Sequence, residues 1–145
     1  MKTIAGLFIA ISILFASPTI ARDTRHMFSL AEALQTAAAV QKMTPNIKMH
    51  FGKQTPPPIA KTFGTFTSNK KTNAFNKSDK EACEWVFLSA ILSFQDRARK
   101  EGGDAVINIH SYYKKQPTWS QTQYMCGGGT FIAGVAFRGT VVKLK

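Results

Sequence analysis

Apolar and polar positions recur along this chain with two different periods, and the changes of period mark the elements. From residue 79 the spacing is helical: on a wheel of about 100° per residue, Cys83, Val86, Phe87, Ala90, Ile91, Phe94 and Ala98 share one face. Ser78-Asp79-Lys80-Glu81 in front of that run is a capping box, with acids in the first turn where the helix dipole favours them. Gly102-Gly103 supplies a left-handed stop, so the spacing predicts a helix over 79–101. Trp85, Leu88 and Leu92 fall nearly opposite the main apolar face. A helix apolar on two sides is covered on both, here either by another helix of the chain or by a second subunit.

A second capping box, Ser29-Leu30-Ala31-Glu32, precedes Leu34, Ala37, Ala38 and Gln41 at helical spacing, which predicts a shorter helix over 29–42 that stops before Pro45. Elsewhere the period falls to two. Ile47, Met49 and Phe51 alternate with Lys48 and His50, and Pro56-Pro57-Pro58 closes that strand because proline cannot donate to a sheet ladder. Residues 59–67 predict a second short strand, and the lysine-rich stretch 68–77 a loop. After the long helix, residues 104–110 read as a strand with Ala105, Ile107 and Ile109 on one face and Asn108, His110 and Tyr112 on the other. Residues 114–123, with Pro117, predict a connection, and Phe131 to Leu144 one long strand bent at glycines. Helix, strand, strand, helix, strand, strand is an α+β order: a small, mostly antiparallel sheet with the long helix on one face and the shorter helix N-terminal to it.

The first residues alter this picture. Lys2, an apolar run from Ile4 to Phe15, and Thr19 and Ala21 at the small-residue exit have the layout of a secretory signal peptide over 1–21. The run is too short to span a bilayer comfortably. A single domain over 22–145 is expected, periplasmic or secreted, in an oxidising compartment. There Cys83 and Cys126 are expected to form one intramolecular disulfide, with an intermolecular bridge or a reactive thiol as the alternatives.

The formal charge of +11 is unevenly spread. Six of the eight acids lie between Asp79 and Asp104, whereas seven lysines and no acid lie between Lys42 and Lys77, and no acid follows Ala105. Lys48, Lys53, Lys61, Lys70, Lys71, Lys114 and Lys115 are the candidate anion-binding residues, and the partner class is an anionic envelope component: a lipid, lipopolysaccharide or an acidic protein. Trp119, Tyr112, Tyr113 and Tyr124 lie in or near the loop before the last strand, and aromatic tips beside lysines suit a lipid interface or a carbohydrate. No nucleic-acid motif is present and no nucleic-acid partner is expected. His50 and His110 occupy outward strand positions and, with Asn108, Tyr112 or the loop residue His26, form a candidate transition-metal site if the strands are neighbours. Neither H-x-H nor C-x-x-C spacing occurs, and bridged cysteines would withhold their thiolates. No nucleophile–base pattern stands out. Asp96 matches Lys100 at i,i+4 spacing, and Asp104 follows the glycines as a turn residue.

The stretches Ala82-Cys83-Glu84-Trp85, Leu88-Ser89-Ala90, Gln95-Asp96-Arg97-Ala98, Gly102 to Ile109, Ser111-Tyr112-Tyr113-Lys114 and Gly134 to Gly139 resemble a family of small exported bacterial proteins that carry the genome label "excinuclease ATPase subunit" homologue. The label does not fit this chain, which has no phosphate-binding G-x-x-x-x-G-K-[ST] loop and no C-x-x-C pair. More remotely, the helix end leading into Gly-Gly-Asp-Ala-Val-Ile-Asn-Ile, and Gly134-Val-Ala-Phe-Arg-Gly-Thr, are similar to the YbjQ-type heavy-metal-binding domain, a ring oligomer, and to the stress-sensing outer-membrane lipoprotein of the Rcs pathway. Both resemblances imply a small α+β domain, and the second a disulfide joining the helix to a late strand. This chain has a single pair of cysteines. The resulting expectation is a non-enzymatic, exported binding protein without a cofactor that contacts an anionic partner through an electropositive face. A metal-binding module using His50 and His110, and a structural homo-oligomer using Trp85, Leu88 and Leu92, are the alternatives.

Overall fold

A computed structural model describes residues 16–17 and 21–145. The expected leader over 1–21 lies almost wholly outside the described residues. The chain runs β1 (Thr24–Ser29), α1 (Leu30–Leu34), α2 (Ala37–Lys42), β2 (Lys48–Phe51), β3 (Ile59–Asn73), α3 (Asp79–Glu101), β4 (Ala105–Ser111), a 3-10 turn (Tyr113–Lys115), β5 (Gln123–Gly128) and β6 (Ile132–Leu144). The fold is α+β, a curled half-barrel sheet with α3 packed against one face.

Strand β6 organises the sheet. Along one edge it pairs antiparallel with β3 from Ile132↔Asn73 to Leu144↔Ile59. Its other edge is divided: Ala133 and Gly134 pair with β5, and Phe137 to Val142 pair with β4. Strand β1 extends the sheet beyond β5, and β2 extends it beyond β4 in parallel, so the sheet is mixed, with four antiparallel pairings and one parallel. The inward face of β6 (Ala133, Val135, Phe137, Val141) meets the predicted apolar face of α3, all of whose members are buried.

Helix α3 begins and ends as predicted. The Ser78 hydroxyl accepts from the Glu81 amide at 3.1 Å, and Gly102, at φ 83°, receives the chain in the left-handed region where a side chain would be strained. The predicted single helix over 29–42 does not form. Ser29 caps its start, but Thr36 interrupts it: the Thr36 hydroxyl donates to the Ala33 carbonyl and accepts from the Ala39 amide, which ends α1 and begins α2. The two short helices cover Leu88, which is buried, and leave Trp85 at the rim of a cleft with Thr36 and Ala37. Leu92 lies apart, half-buried, beside Lys70 and Asp96. The second stripe is therefore divided, not one continuous face.

The expected loop over 68–77 is strand as far as Asn73, because thirteen residue positions of β3 pair with β6 and the side chains of Asn69, Lys71 and Asn73 are exposed. Within that stretch Ser68 is buried and donates to the Ala90 carbonyl at 3.0 Å, fastening β3 to α3. Strands β1 and β5 were not expected from the spacing. Tyr124 is a core residue, packed against Phe87 with ring centroids 4.6 Å apart, not a surface aromatic. Asp96 pairs with Arg99 in place of Lys100. Asp104 does close the turn, its carboxylate accepting from the Leu144 amide at 2.8 Å.

Cys83 on α3 and Cys126 on β5 form a disulfide with Cα atoms 6.0 Å apart, both fully buried, and no free cysteine remains. It ties the helix to the side of the sheet that β6 holds by only two residue pairs. A separation of 43 residues corresponds to about 4 kcal/mol in the chain-entropy account. Denaturant unfolding with and without reductant is expected to show that loss, and an unchanged midpoint on complete reduction would refute the role assigned to the bridge.

Candidate functional site

Helix α3 covers one face of the sheet and leaves the other open. On β6 the positions between the core residues are Gly134, Ala136, Arg138 and Thr140, so these face away from α3. The open face of β3 carries Thr65, Thr67, Asn69 and Lys71, and the Thr65 and Thr140 hydroxyls are hydrogen-bonded across the pair at 2.9 Å.

A register slip places a histidine on this face. Strand β4 pairs with β6 regularly as far as Ile107 and again from His110, with Asn108 between them at φ 54°. Val106 points into the core, so uninterrupted alternation would send His110 there too; the bulge resets the parity, turning Ile109 inward and His110 outward. His110 Nδ1 donates to the Asn108 carbonyl at 2.8 Å, which fixes the ring and leaves Nε2 as the acceptor of the neutral form. The imidazole stacks on Trp119 with centroids 3.8 Å apart and meets Tyr112 edge-on at 6.2 Å. Arg138, the cross-strand partner of His110, lies 5.2 Å over the Tyr112 ring, and Lys53 lies 5.0 Å over Trp119. Two cations thus bracket a run of three rings, in the order Lys53, Trp119, His110, Tyr112, Arg138.

The array continues through Tyr113. Arg25 and Lys114 each sit 5.7 Å from its ring. Its hydroxyl rests on the backbone of Gly127, where an added Cβ would fall 2.1 Å from the oxygen, so only glycine admits the ring. The hydroxyl donates to Asp23 at 2.8 Å, and Lys114 pairs with the same carboxylate. Burial, and then Asp23, push the Tyr113 hydroxyl up to about 12, so it stays a donor at any physiological pH. Lys114 and Lys115 both adopt positive φ (50° and 61°), so three non-glycine residues in the left-handed region fall within 108–115, beside the array. Arg22, Lys71, Tyr113 and Lys114 wall a cleft of about 390 Å³ at its edge.

The seven predicted lysines are divided by the fold. Lys53, Lys71, Lys114 and Lys115 border the open face, with Lys48 on the outward side of β2. Lys61 lies at the far end of β3 beside Lys143, and Lys70 faces α3 near Ser89 and Asp96. Two cations of the array, Arg25 and Arg138, were not among them; the alternation Phe137-Arg138-Gly139 marks Arg138 as outward, whereas Arg25 requires knowing that β1 exists. His50 lies on β2 between Met49 and Phe51, which pair with Val106 and Ile109, and its Nε2 is buried without a hydrogen-bond partner. His110 is held instead by Trp119 and Asn108. Among the described residues no group of three or more His, Cys, Asp or Glu side chains is placed to hold a metal ion.

His26, expected in a loop, lies on β1, and its Nε2 meets the Asp79 carboxylate at 2.7 Å. The same carboxylate receives two hydrogen bonds from Arg22 at 2.8 Å, clamping the segment before β1 to the first turn of α3. The Arg22 guanidinium, followed by His26, holds the Asp79 carboxyl down at about 2. Comparison with protein-family models, curated proteins and solved structures found no match.

The Asp79 clamp predicts a pH dependence. A carboxyl whose folded pKa is depressed contributes stability above its ordinary value near 4 that is lost as pH falls through about 2. The stability difference between the protein and Asp79→Asn should shrink as pH falls from about 4 to about 2. A difference independent of pH down to about 2 would show that the ion pairs contribute nothing.

Proposed function

We propose that this is an exported protein that acts by binding rather than by catalysis, and that the open face of its sheet holds an anionic component of the cell envelope. The observation that carries this reading is the cation–aromatic array of Lys53, Trp119, His110, Tyr112 and Arg138, continued by Arg25, Tyr113 and Lys114. Asp23 is the one carboxylate in contact with it among the described residues. Guanidinium and ammonium groups recognise phosphate and carboxylate, and flat rings offer a surface to sugars, so the ligand chemistry is that of a phosphorylated or uronic saccharide. The phosphorylated sugar head of lipopolysaccharide has both features. Export accords with the leader pattern of 1–21 and with a buried disulfide, which persists in oxidising compartments. Among the described residues no helix is long and apolar enough to cross a membrane.

Binding is to be measured calorimetrically with lipopolysaccharide and, separately, with its delipidated phosphorylated saccharide, at low and high salt. Both are expected to bind at low salt and to weaken as the Debye length shrinks. Arg138→Glu combined with Tyr112→Ala should weaken both by roughly tenfold or more, with the fold retained, since loss of a charge-assisted contact is worth about 1.5–3 kcal/mol. No binding at low salt, or equal binding by the double variant, would overturn the proposal.

A further inference from the structure

One end of the molecule presents apolar rings to solvent in a fixed arrangement. Phe75, from the connection between β3 and α3, stacks on Phe131, from the turn between β5 and β6, with centroids 5.7 Å apart and planes at 15°. The stack is not buried: Phe75 is 53% exposed, Phe131 64%, and the adjoining Ile132 56%. Single exposed apolar residues are ordinary, but three large ones gathered at one place form a patch that calls for a partner.

The patch is built, not adventitious. Ala74 is buried beneath it and its amide donates to the Phe131 carbonyl at 2.8 Å, joining the two segments. The Asn73 carboxamide accepts from the Phe75 amide at 2.8 Å, and Lys77 donates to the Asn73 carbonyl at 3.2 Å. The rings are therefore held in place before any partner arrives, which lowers the ordering entropy of an encounter. The charged side chains at the border of the patch and in its turn are lysines. Lys71 borders the patch directly and Lys77 lies within its turn. No acid occurs in 42–77 or after Ala105, the stretches that supply every residue of the patch. The patch also shares Lys71 and Ile132 with the Arg22–Lys114 cleft, whose lining includes Asp23 as well.

We infer that Phe75, Phe131 and Ile132 form a wedge that enters the interfacial region of a bilayer containing anionic lipid, with Lys71 and Lys77 at the level of the phosphates. Aromatic rings favour that region, and basic residues beside it gain from the negative surface potential. Three side chains present little area to a second protein, whereas a bilayer can meet them from any direction in the plane and meets the lysines with opposite charge. This contact shares Lys71 with the edge of the saccharide face, but Phe75 and Phe131 lie outside that face, so the ring variants test it by itself.

The test uses vesicles of phosphatidylcholine alone and of phosphatidylcholine mixed with phosphatidylglycerol. The protein should co-sediment with the mixed vesicles and much less with the neutral ones. The double variant Phe75→Ser, Phe131→Ser should lose roughly tenfold or more in vesicle affinity, since each ring gives up most of its apolar burial. Lys71→Gln and Lys77→Gln should each cost about fivefold. The conservative Phe131→Trp should keep binding, and its emission should shift to the blue and be quenched by acyl-chain-brominated lipid, a readout that surface adsorption would not give. Binding of the delipidated saccharide should be unchanged in the serine double variant, which separates failure of the wedge from failure of the face. Equal sedimentation of the protein and the serine double variant would overturn the inference. So would concentration-dependent self-association that the serine pair abolishes in the absence of vesicle binding, which would give the tip to a second copy of this chain.

Discussion

Strand β6 has two hydrogen-bonding edges and serves three neighbours. Strand β3 occupies one edge along its whole length, while β5 and β4 divide the other. Two strands cannot share one edge without a gap where one ends and the next begins, and here the gap falls near Ala136. The Ala136 carbonyl is taken by the Tyr112 amide at 2.8 Å, from the chain leaving β4. That single hydrogen bond brings the Tyr112–Lys115 turn to the fork, with both tyrosine rings on the open face and two lysines in left-handed conformations beside them. The curl of the sheet, the strain in the turn and the aromatic array are thus consequences of one strand's divided pairing.

The same division explains why the chain needs its covalent link where it has one. On the β4 side, antiparallel pairing with β6 and parallel pairing with β2 secure the sheet. On the β5 side only two residue pairs join β5 to β6, and β1 hangs from β5 in turn. The Cys83–Cys126 bridge and the Asp79 clamp to Arg22 and His26 both fall on that weaker side, each fastening it to α3. Charge follows the layers. Most carboxylates sit on or next to α3, those of its first turn favoured by the helix dipole and Asp96 and Glu101 near its end paired with Arg99 and Arg97, and the opposite face is left to arginine, lysine and aromatic rings with Asp23 among them.

Local signals were legible in the sequence and non-local ones were not. Helix α3 announced itself through a capping residue, a seven-member apolar face and a terminal glycine, all within one window. The disulfide followed from two cysteines in a chain with a leader pattern. The split of α1 from α2 turns on whether the Thr36 hydroxyl competes for backbone partners, which the apolar spacing does not encode. The last third of β3 looked like a loop because its outward positions are lysine, asparagine and threonine, and only the long partner β6 makes a strand of it. Strands β1 and β5 are short and glycine- or arginine-containing, and exist because each pairs with the other. The array inherits that difficulty: Tyr112 and Trp119 were singled out, but Arg25 joins them only once β1 is placed, and His110 reaches the surface through a bulge at Asn108 that the alternation did not reveal. Phe75 and Phe131, 56 positions apart in sequence, meet only through the β3–β6 ladder.

Strand β3 runs for fifteen residues and, among the described residues, no strand pairs with its second edge. So long a row of unpaired amides and carbonyls is a template on which another copy could add itself and begin a fibril. Lys61, Lys70 and Lys71 lie along it with no carboxylate between them, and the ladder slips near both Ile59 and Gly64. Two such edges brought together would set like charges against each other over a distorted backbone. The lysines of β3 therefore also keep the molecules apart, and a variant that exchanged them for neutral residues would risk its solubility before it lost its fold.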